Sequence, residues 1–65
     1  MKLTDFVSVI TASEILHIQQ YGSNEIMFTG SCLQLMSSEK WSYFSELDVQ
    51  LIIARSFGEQ HIYID

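Results

Sequence analysis

The sequence predicts an α+β fold, in which two β-hairpins in the order α-β-β-α-β-β form one small antiparallel sheet with short helices on one face. Apolar residues recur at helical spacing near the start of the chain. Two further stretches alternate apolar and polar residues around glycine-bearing turns, the pattern of β-hairpins. With 65 residues, the chain is expected to be a single domain spanning residues 1–65. A small open β-barrel with an N-terminal helix is the alternative.

The first element is predicted to be a helix. Leu3, Phe6, Val7 and Ile10 stand at i, i+3, i+4 and i+7, which places them on one helical face. Thr4 is the expected N-cap. The β-branched residues from 7 to 11 favour a strand instead.

The first hairpin is predicted to have an odd loop of three residues, 22–24, or an equivalent bulge. Such a loop sets Ile18 opposite Phe28 and Gln20 opposite Ile26. A one-residue slip would turn every side chain of a strand to the other face. With the odd loop, the apolar side chains of both strands share one face: Leu16, Ile18, Ile26 and Phe28.

Two short helical segments are predicted between the hairpins. Ser31 could cap a helix that ends at Met36 and buries Leu33 together with Met36 or Leu35. Ser38 could cap a further turn that carries Trp41 and Phe44 at i, i+3.

The closing hairpin is predicted to have a four-residue loop, Ser56–Glu59. This loop pairs Ile53 with Ile62 and Leu51 with Ile64, which forms an apolar face that Val49 extends. The opposite face is wetter, as in a half-solvated antiparallel sheet, and carries Gln50, Ile52, Ala54, His61, Tyr63 and Asp65. The polar residues of this segment are therefore expected in water and not in a site: Arg55, His61 and Asp65.

No motif of catalysis or of cofactor binding is present. His17, His61 and Cys32 lack the spacing of a metal site, and no nucleophile elbow or glycine-rich phosphate loop occurs. Cys32 could lie near a helix N-terminus, which would lower the pKa of its thiol, but a lone cysteine beside Leu33 is more often a packing residue. We therefore expect a non-enzyme with no catalytic, cofactor-binding or metal-binding residues.

Charge and cysteine content restrict the partners and the compartment. A net charge of −5 disfavours contact with nucleic acid or anionic lipid, since binding to polyanions relies on Lys and Arg. The opening segment, MKLTDFVSVITASE, has the pattern of neither a signal peptide nor a membrane span. One cysteine fits a reducing compartment, so a cytoplasmic location is expected.

Surplus aromatic surface is the strongest functional signal. Trp41, Tyr43 and Phe44 fall within four residues, so one or two of them are expected to be exposed as interface residues. Tyr63 is a further candidate contact. The competing interpretation is that Trp41 and Phe44 close a thin core. The prediction is a protein-interaction module that self-associates through the aromatics of segment 41–44 or through an open sheet edge. The alternative is an acidic decoy for a basic, nucleic-acid-binding surface of another protein.

Several short patterns resemble a group of uncharacterised proteins carried by prophages, mobile elements and gut Firmicutes. They include an opening M-x-L-x-D-F-x-x-x-I from Met1 to Ile10, an F-x-G at Phe28–Gly30 and a Leu-rich helix from Cys32 to Met36. A V-x-x-I strand at Val49–Ile52 and a terminal I-x-I at Ile62–Ile64 complete the pattern. The resemblance implies a bacterial or phage accessory protein and assigns no functional residue. The aromatic cluster at 41–44 is not part of the pattern.

Overall fold

Three short helices lie on one face of a four-stranded sheet in the computed structural model, which describes residues 1–65. The helices are α1 (Leu3–Val7), α2 (Cys32–Met36) and α3 (Trp41–Phe44). The strands are β1 (Ile15–Gln20), β2 (Ile26–Ser31), β3 (Val49–Ser56) and β4 (Glu59–Ile64). The predicted α+β class and the two hairpins are confirmed.

The sheet is mixed, with strand order β2-β1-β4-β3. Each hairpin is antiparallel, whereas the central strands β1 and β4 are parallel. The prediction of a wholly antiparallel sheet is therefore wrong, and the open sheet also differs from the barrel alternative. The chain from β2 crosses the sheet through α2 and α3, so β3 runs in the direction of β2 at the opposite edge. Parallel neighbours require such a crossover.

The first hairpin has the predicted pairing at its centre and a bulge near its turn. Ile18 lies opposite Phe28, but Gln19 and not Gln20 lies opposite Ile26. Met27 is the extra residue on β2, and it packs against the core. An extra residue in one strand shifts all later pairings, and Ile26 is consequently 46% exposed on the uncovered face of the sheet.

The second hairpin is one position out of the predicted register. Ile52 lies opposite Ile62, Ile53 opposite His61, and Leu51 opposite Tyr63. The turn contains only two residues between the paired Ser56 and Glu59, because Gly58 adopts a φ of +78° that side-chain-bearing residues rarely adopt. The register also shifts at two bulges in β3, one between positions 49 and 51 and one between positions 54 and 56.

The core lies between the sheet and the helices. Phe44 of α3 packs edge-on against Phe28 of β2, with ring centroids 6.4 Å apart. Nine residues form the buried cluster: Leu3, Val7, Leu16, Ile18, Cys32, Leu35, Phe44, Ile62 and Ile64. The central strands thus present Leu16 and Ile18 of β1 and Ile62 and Ile64 of β4 to the helices.

The helix ends agree with the sequence only in part. Ser31 caps α2 as predicted: its hydroxyl accepts from the Gln34 N–H at 3.1 Å, and Gln34 Oε1 accepts from the Ser31 N–H at 2.8 Å. In α2 Leu35 is buried, whereas Leu33 and Met36 are exposed.

The other two predicted caps are displaced. The cap of α1 is Lys2, whose N–H donates to Asp5 at 3.3 Å. Thr4 is not the cap because it lies inside the helix, where its N–H donates to the Ser45 carbonyl at 3.2 Å. The Ser38 hydroxyl accepts from the Lys40 N–H at 3.2 Å, one turn ahead of α3.

Candidate functional site

The uncovered side of the sheet, here called the open face, carries a connected polar network beside apolar side chains. Strand parity and register assign its members. They are Ile15, His17, Gln19, Ile26, Thr29, Leu51, Ile53, Arg55, Glu59, His61 and Tyr63. The parallel pairing of β1 with β4 sets His17 beside His61 at its centre.

His61 is held in one protonation state by its two ring contacts. Arg55 Nη2 lies 3.0 Å from Nδ1, and a guanidinium can only donate, so Nδ1 is an acceptor. Nε2 lies 2.8 Å from Gln19 Oε1, and the Gln19 amide nitrogen donates to the Ser23 carbonyl. Nε2 therefore carries the proton, and the ring is neutral.

His61 is also shielded from water, being 6% exposed. Its ring stacks on Tyr63 at 4.8 Å and on His17 at 5.8 Å between centroids. Burial lowers the pKa of His61 below its usual value, and the positive charge of Arg55 and the neighbouring His17 lower it further. All of these effects disfavour the imidazolium.

His17 and Glu59 form the second part of the network. His17 Nε2 donates to Glu59 Oε2, and Ser56 Oγ donates to Glu59 Oε1 at 3.1 Å. The pKa of Glu59 is lowered, first by the hydrogen bond from His17 and then by that from Ser56. The other ring nitrogen of His17 lies 3.4 Å from the Thr29 hydroxyl, which can either donate or accept.

A shallow polar cleft of about 430 Å³ lies among these groups, lined by His17, Arg55, Glu59 and His61. Its four side chains form two bonded pairs, His17–Glu59 and Arg55–His61, and neighbouring polar groups complete their hydrogen bonds. No three His, Cys, Asp or Glu side chains of the chain converge as a metal site would require. The polar groups of the cleft thus have their hydrogen-bond partners within the protein.

Cys32 lies on the opposite side of the sheet and cannot join this network. It is fully buried in the core as the first residue of α2. Burial raises the pKa of its thiol, and the charge of Glu14 raises it further. The lowering expected from a helix N-terminus is therefore wrong for this cysteine, because desolvation of the buried thiol disfavours the thiolate.

The polar residues of the closing hairpin differ in their surroundings. Asp65 is exposed as expected, and Arg55 is exposed although it bonds to His61. His61 is buried, which corrects the expectation. The i, i+2 spacing of Glu59, His61 and Tyr63 signals a shared face. No pattern in the sequence places His17 beside that face, since the two strands are far apart in the chain.

The four predicted interface residues do not form one surface. Phe44 is buried in the core, Trp41 is half-buried against it, and Tyr43 is 56% exposed on the helical side. Tyr63 lies on the open face, half-buried, opposite Leu51. The competing interpretation of Trp41 and Phe44 as core residues therefore agrees with their positions.

An apolar pair on the edge strand β3 was missed at the sequence level. Leu51 and Ile53 are 44% and 41% exposed and point from the open face next to Tyr63 and His61. Within the sheet β3 is paired with β4 only. On its outer side the Val49 N–H donates to the Met1 carbonyl at 2.7 Å, and no strand pairs with the residues that follow. The shifted register of the hairpin is what turns these two side chains away from the core.

The chain matches no protein-family model, no curated protein and no solved structure. None of its helices has the length and apolar character needed to cross a membrane. Its function is therefore inferred from the geometry of the open face and its edge.

Proposed function

We propose that the protein is a non-enzymatic interaction module that self-associates through the edge of β3. The observation that carries this proposal is the eight-residue edge strand, whose outer side is unpaired beyond its first residue, Val49, with Leu51 and Ile53 exposed. An edge strand presents backbone N–H and C=O groups that a second strand can pair. The occupant of this edge is a second copy of the chain, in a two-fold dimer.

Parity defines the pairing of the two copies. In antiparallel pairing about a two-fold axis normal to the sheet, the axis passes between the two strands, midway between the two copies of one residue. With the two copies of Ile52 opposite each other, Leu51 of each copy lies opposite Ile53 of the other, on the open face. Four apolar side chains then form one cross-strand ladder, and such pairs contribute about 0.2–1 kcal/mol each.

The segment that pairs is the regular part of β3. Its two bulges lie between positions 49 and 51 and between 54 and 56, so positions 51–54 between them are continuous strand. Bulges commonly limit edge pairing, and here they confine it to the residues that carry the apolar pair.

The other edge of the sheet is less suited to pairing. β2 has six residues and a bulge at its turn end, and it continues directly into α2. Its open-face side chains include one large exposed apolar residue, Ile26. Ile26 is therefore a matched control for Ile53, since the two isoleucines lie on the same face of the sheet and have similar exposure.

Analytical ultracentrifugation from low to high micromolar concentration tests the proposal. The wild-type chain is expected to show a concentration-dependent monomer–dimer equilibrium. Ile53→Lys is expected to abolish it, because a charge opposite Leu51 of the second copy would be desolvated without a partner. Ile26→Lys is expected to leave it intact.

Two results would overturn the proposal. One is a wild-type chain that stays monomeric throughout the concentration range. The other is a dimer that Ile26→Lys weakens as much as Ile53→Lys, since the contact would then not be specific to β3. Association through apolar groups is also expected to depend little on salt, whereas an acidic decoy would bind a basic partner with steep salt dependence.

The setting that we propose is the cytoplasm of a bacterium or of a phage-infected cell. A lone thiol, buried in the core, is compatible with a reducing compartment, and the resemblance to prophage-type proteins supports an accessory role. Fractionation of the native host would test the location.

A further inference from the structure

We infer that the Arg55–His61 contact makes the β3-mediated dimer acid-sensitive: protonation of His61 expels the Arg55 guanidinium and weakens pairing at the neighbouring edge. This inference rests on the proposed function and names the regulation of the same surface. It follows from the hydrogen-bond geometry of the two histidines of the open face, which differ in whether accepting a proton would break a contact.

His61 can accept a proton only by breaking a contact. Its unprotonated ring nitrogen is Nδ1, and the lone pair there already accepts a hydrogen bond from Arg55 Nη2 at 3.0 Å. A proton there would face a second donor and add a positive charge beside the guanidinium. The Gln19 contact at Nε2 offers no relief, because that nitrogen already carries its proton.

His17 can accept a proton without breaking a contact. Its Nε2 already donates to Glu59, and the Thr29 hydroxyl beside Nδ1 can accept instead of donate. Neither ring contact of His17 sets a donor against a fixed donor, unlike the Arg55 contact of His61, so His17 serves as the internal control.

The charged and titratable groups that face His61 are Arg55 from β3, His17 from β1, and Glu59 and Tyr63 from its own strand. No helix packs on this side of the sheet. Glu59 alone favours the imidazolium, and it is already bound to His17 and Ser56. Arg55 is exposed, so its side chain can leave when His61 is protonated.

The consequence reaches the dimer through β3. Arg55 lies within the bulge between positions 54 and 56, and its bond to His61 ties that end of β3 to β4. Ile53 lies directly opposite His61 on the same face, so a protonated ring would place a positive charge beside the apolar side chains of the dimer contact. A loosened edge strand must be ordered again on pairing, which lowers affinity.

The test measures the dimer dissociation constant by ultracentrifugation at pH 7.5 and pH 5.5 for wild type, His61→Gln and His17→Gln. Wild type and His17→Gln are expected to dimerise at least about fivefold more weakly at pH 5.5, the lower range of typical coupling. His61→Gln is expected to have the same constant at both pH values, since Gln can accept from Arg55 but does not titrate.

Arg55→Gln is the second variant, in case His61→Gln fails to fold. This substitution removes the positive charge that protonated His61 would repel, and because Arg55 is exposed, the variant is expected to fold. Its pH dependence should shrink markedly. Ring-nitrogen NMR at low concentration should show His61 Nδ1 unprotonated at pH 7.5.

The outcomes separate this inference from the proposed function. A chain that is monomeric at both pH values overturns the proposed dimer. A dimer whose affinity is equal at both pH values in wild type overturns the acid response alone. An acid response that persists in His61→Gln also overturns it, since the titrating group would then lie elsewhere.

Discussion

Replacing Ile62 and Ile53 separately by alanine tests the register on which the open face depends. Ile62 is fully buried in the core, whereas Ile53 is 41% exposed on the other side of the sheet. The two residues belong to paired strands and undergo the same chemical change, so differences in strand propensity largely cancel. Their costs should differ because only one deletion leaves a cavity.

The expected magnitudes follow from burial. Truncating a fully buried isoleucine to alanine costs about 2–5 kcal/mol. Full burial of such a side chain is worth about 1.5–3 kcal/mol, and Ile53 is only partly buried and keeps its Cβ as alanine, so its truncation should cost about 1 kcal/mol. A domain of this size has a total stability of roughly 3–10 kcal/mol, so Ile62→Ala should come close to unfolding it.

Urea unfolding followed by far-UV circular dichroism measures both changes, at a protein concentration below the onset of association because dimerisation adds to apparent stability. If Ile62→Ala does not fold, Ile62→Val should still cost about 0.5–1.5 kcal/mol. Equal costs for Ile53→Ala and Ile62→Ala would refute the observed register, since both side chains would then face the core.

Three further predictions concern the cap, the thiol and pH. Ser31→Ala should lower the free energy of unfolding by about 1 kcal/mol in a urea titration. Ser37→Ala should change it little, because the Ser37 hydroxyl makes no hydrogen bond within the chain. Equal effects of the two substitutions would show that the Ser31 cap does not stabilise the fold. The Cys32 thiol should react with a disulfide reagent only as fast as the chain opens, and rapid reaction of the native protein would show that the thiol is accessible. Because the pKa of His61 is lowered by folding, the unfolded chain binds more protons, so the urea midpoint should fall as pH decreases through about 6.5. His61→Gln should reduce this fall, and an unchanged dependence of the midpoint on pH would show that another group titrates.

Local signals in the sequence predicted the parts of the fold that depend on neighbouring residues. The cap at Ser31 depends on the position of Gln34 three residues later, which is visible in the chain. The alternation of Leu16 and Ile18 in β1, and of Ile62 and Ile64 in β4, predicted their burial because polar residues lie between them. Apart from Ile15 at the start of β1, each of these strands has apolar residues on one face only, which sets its orientation.

The orientation of β3 could not be determined in this way. Leu51, Ile52 and Ile53 are consecutive apolar residues, so either parity offers an apolar face to the core. The choice depends on a two-residue turn at Gly58 and on two bulges, which have no clear sequence signal. The shift exposes Leu51 and Ile53, the pair on which the proposed dimer depends.

The amino-acid sequence by itself determined the α+β class, the capped helix and the apolar faces of β1 and β4, because these follow from spacing within a few residues. Only the tertiary structure decided that β1 and β4 are parallel neighbours. That pairing brings His17 beside His61 from distant parts of the chain, and the shifted hairpin adds Arg55. Contacts between distant segments depend on how the whole chain packs, and no local pattern encodes them.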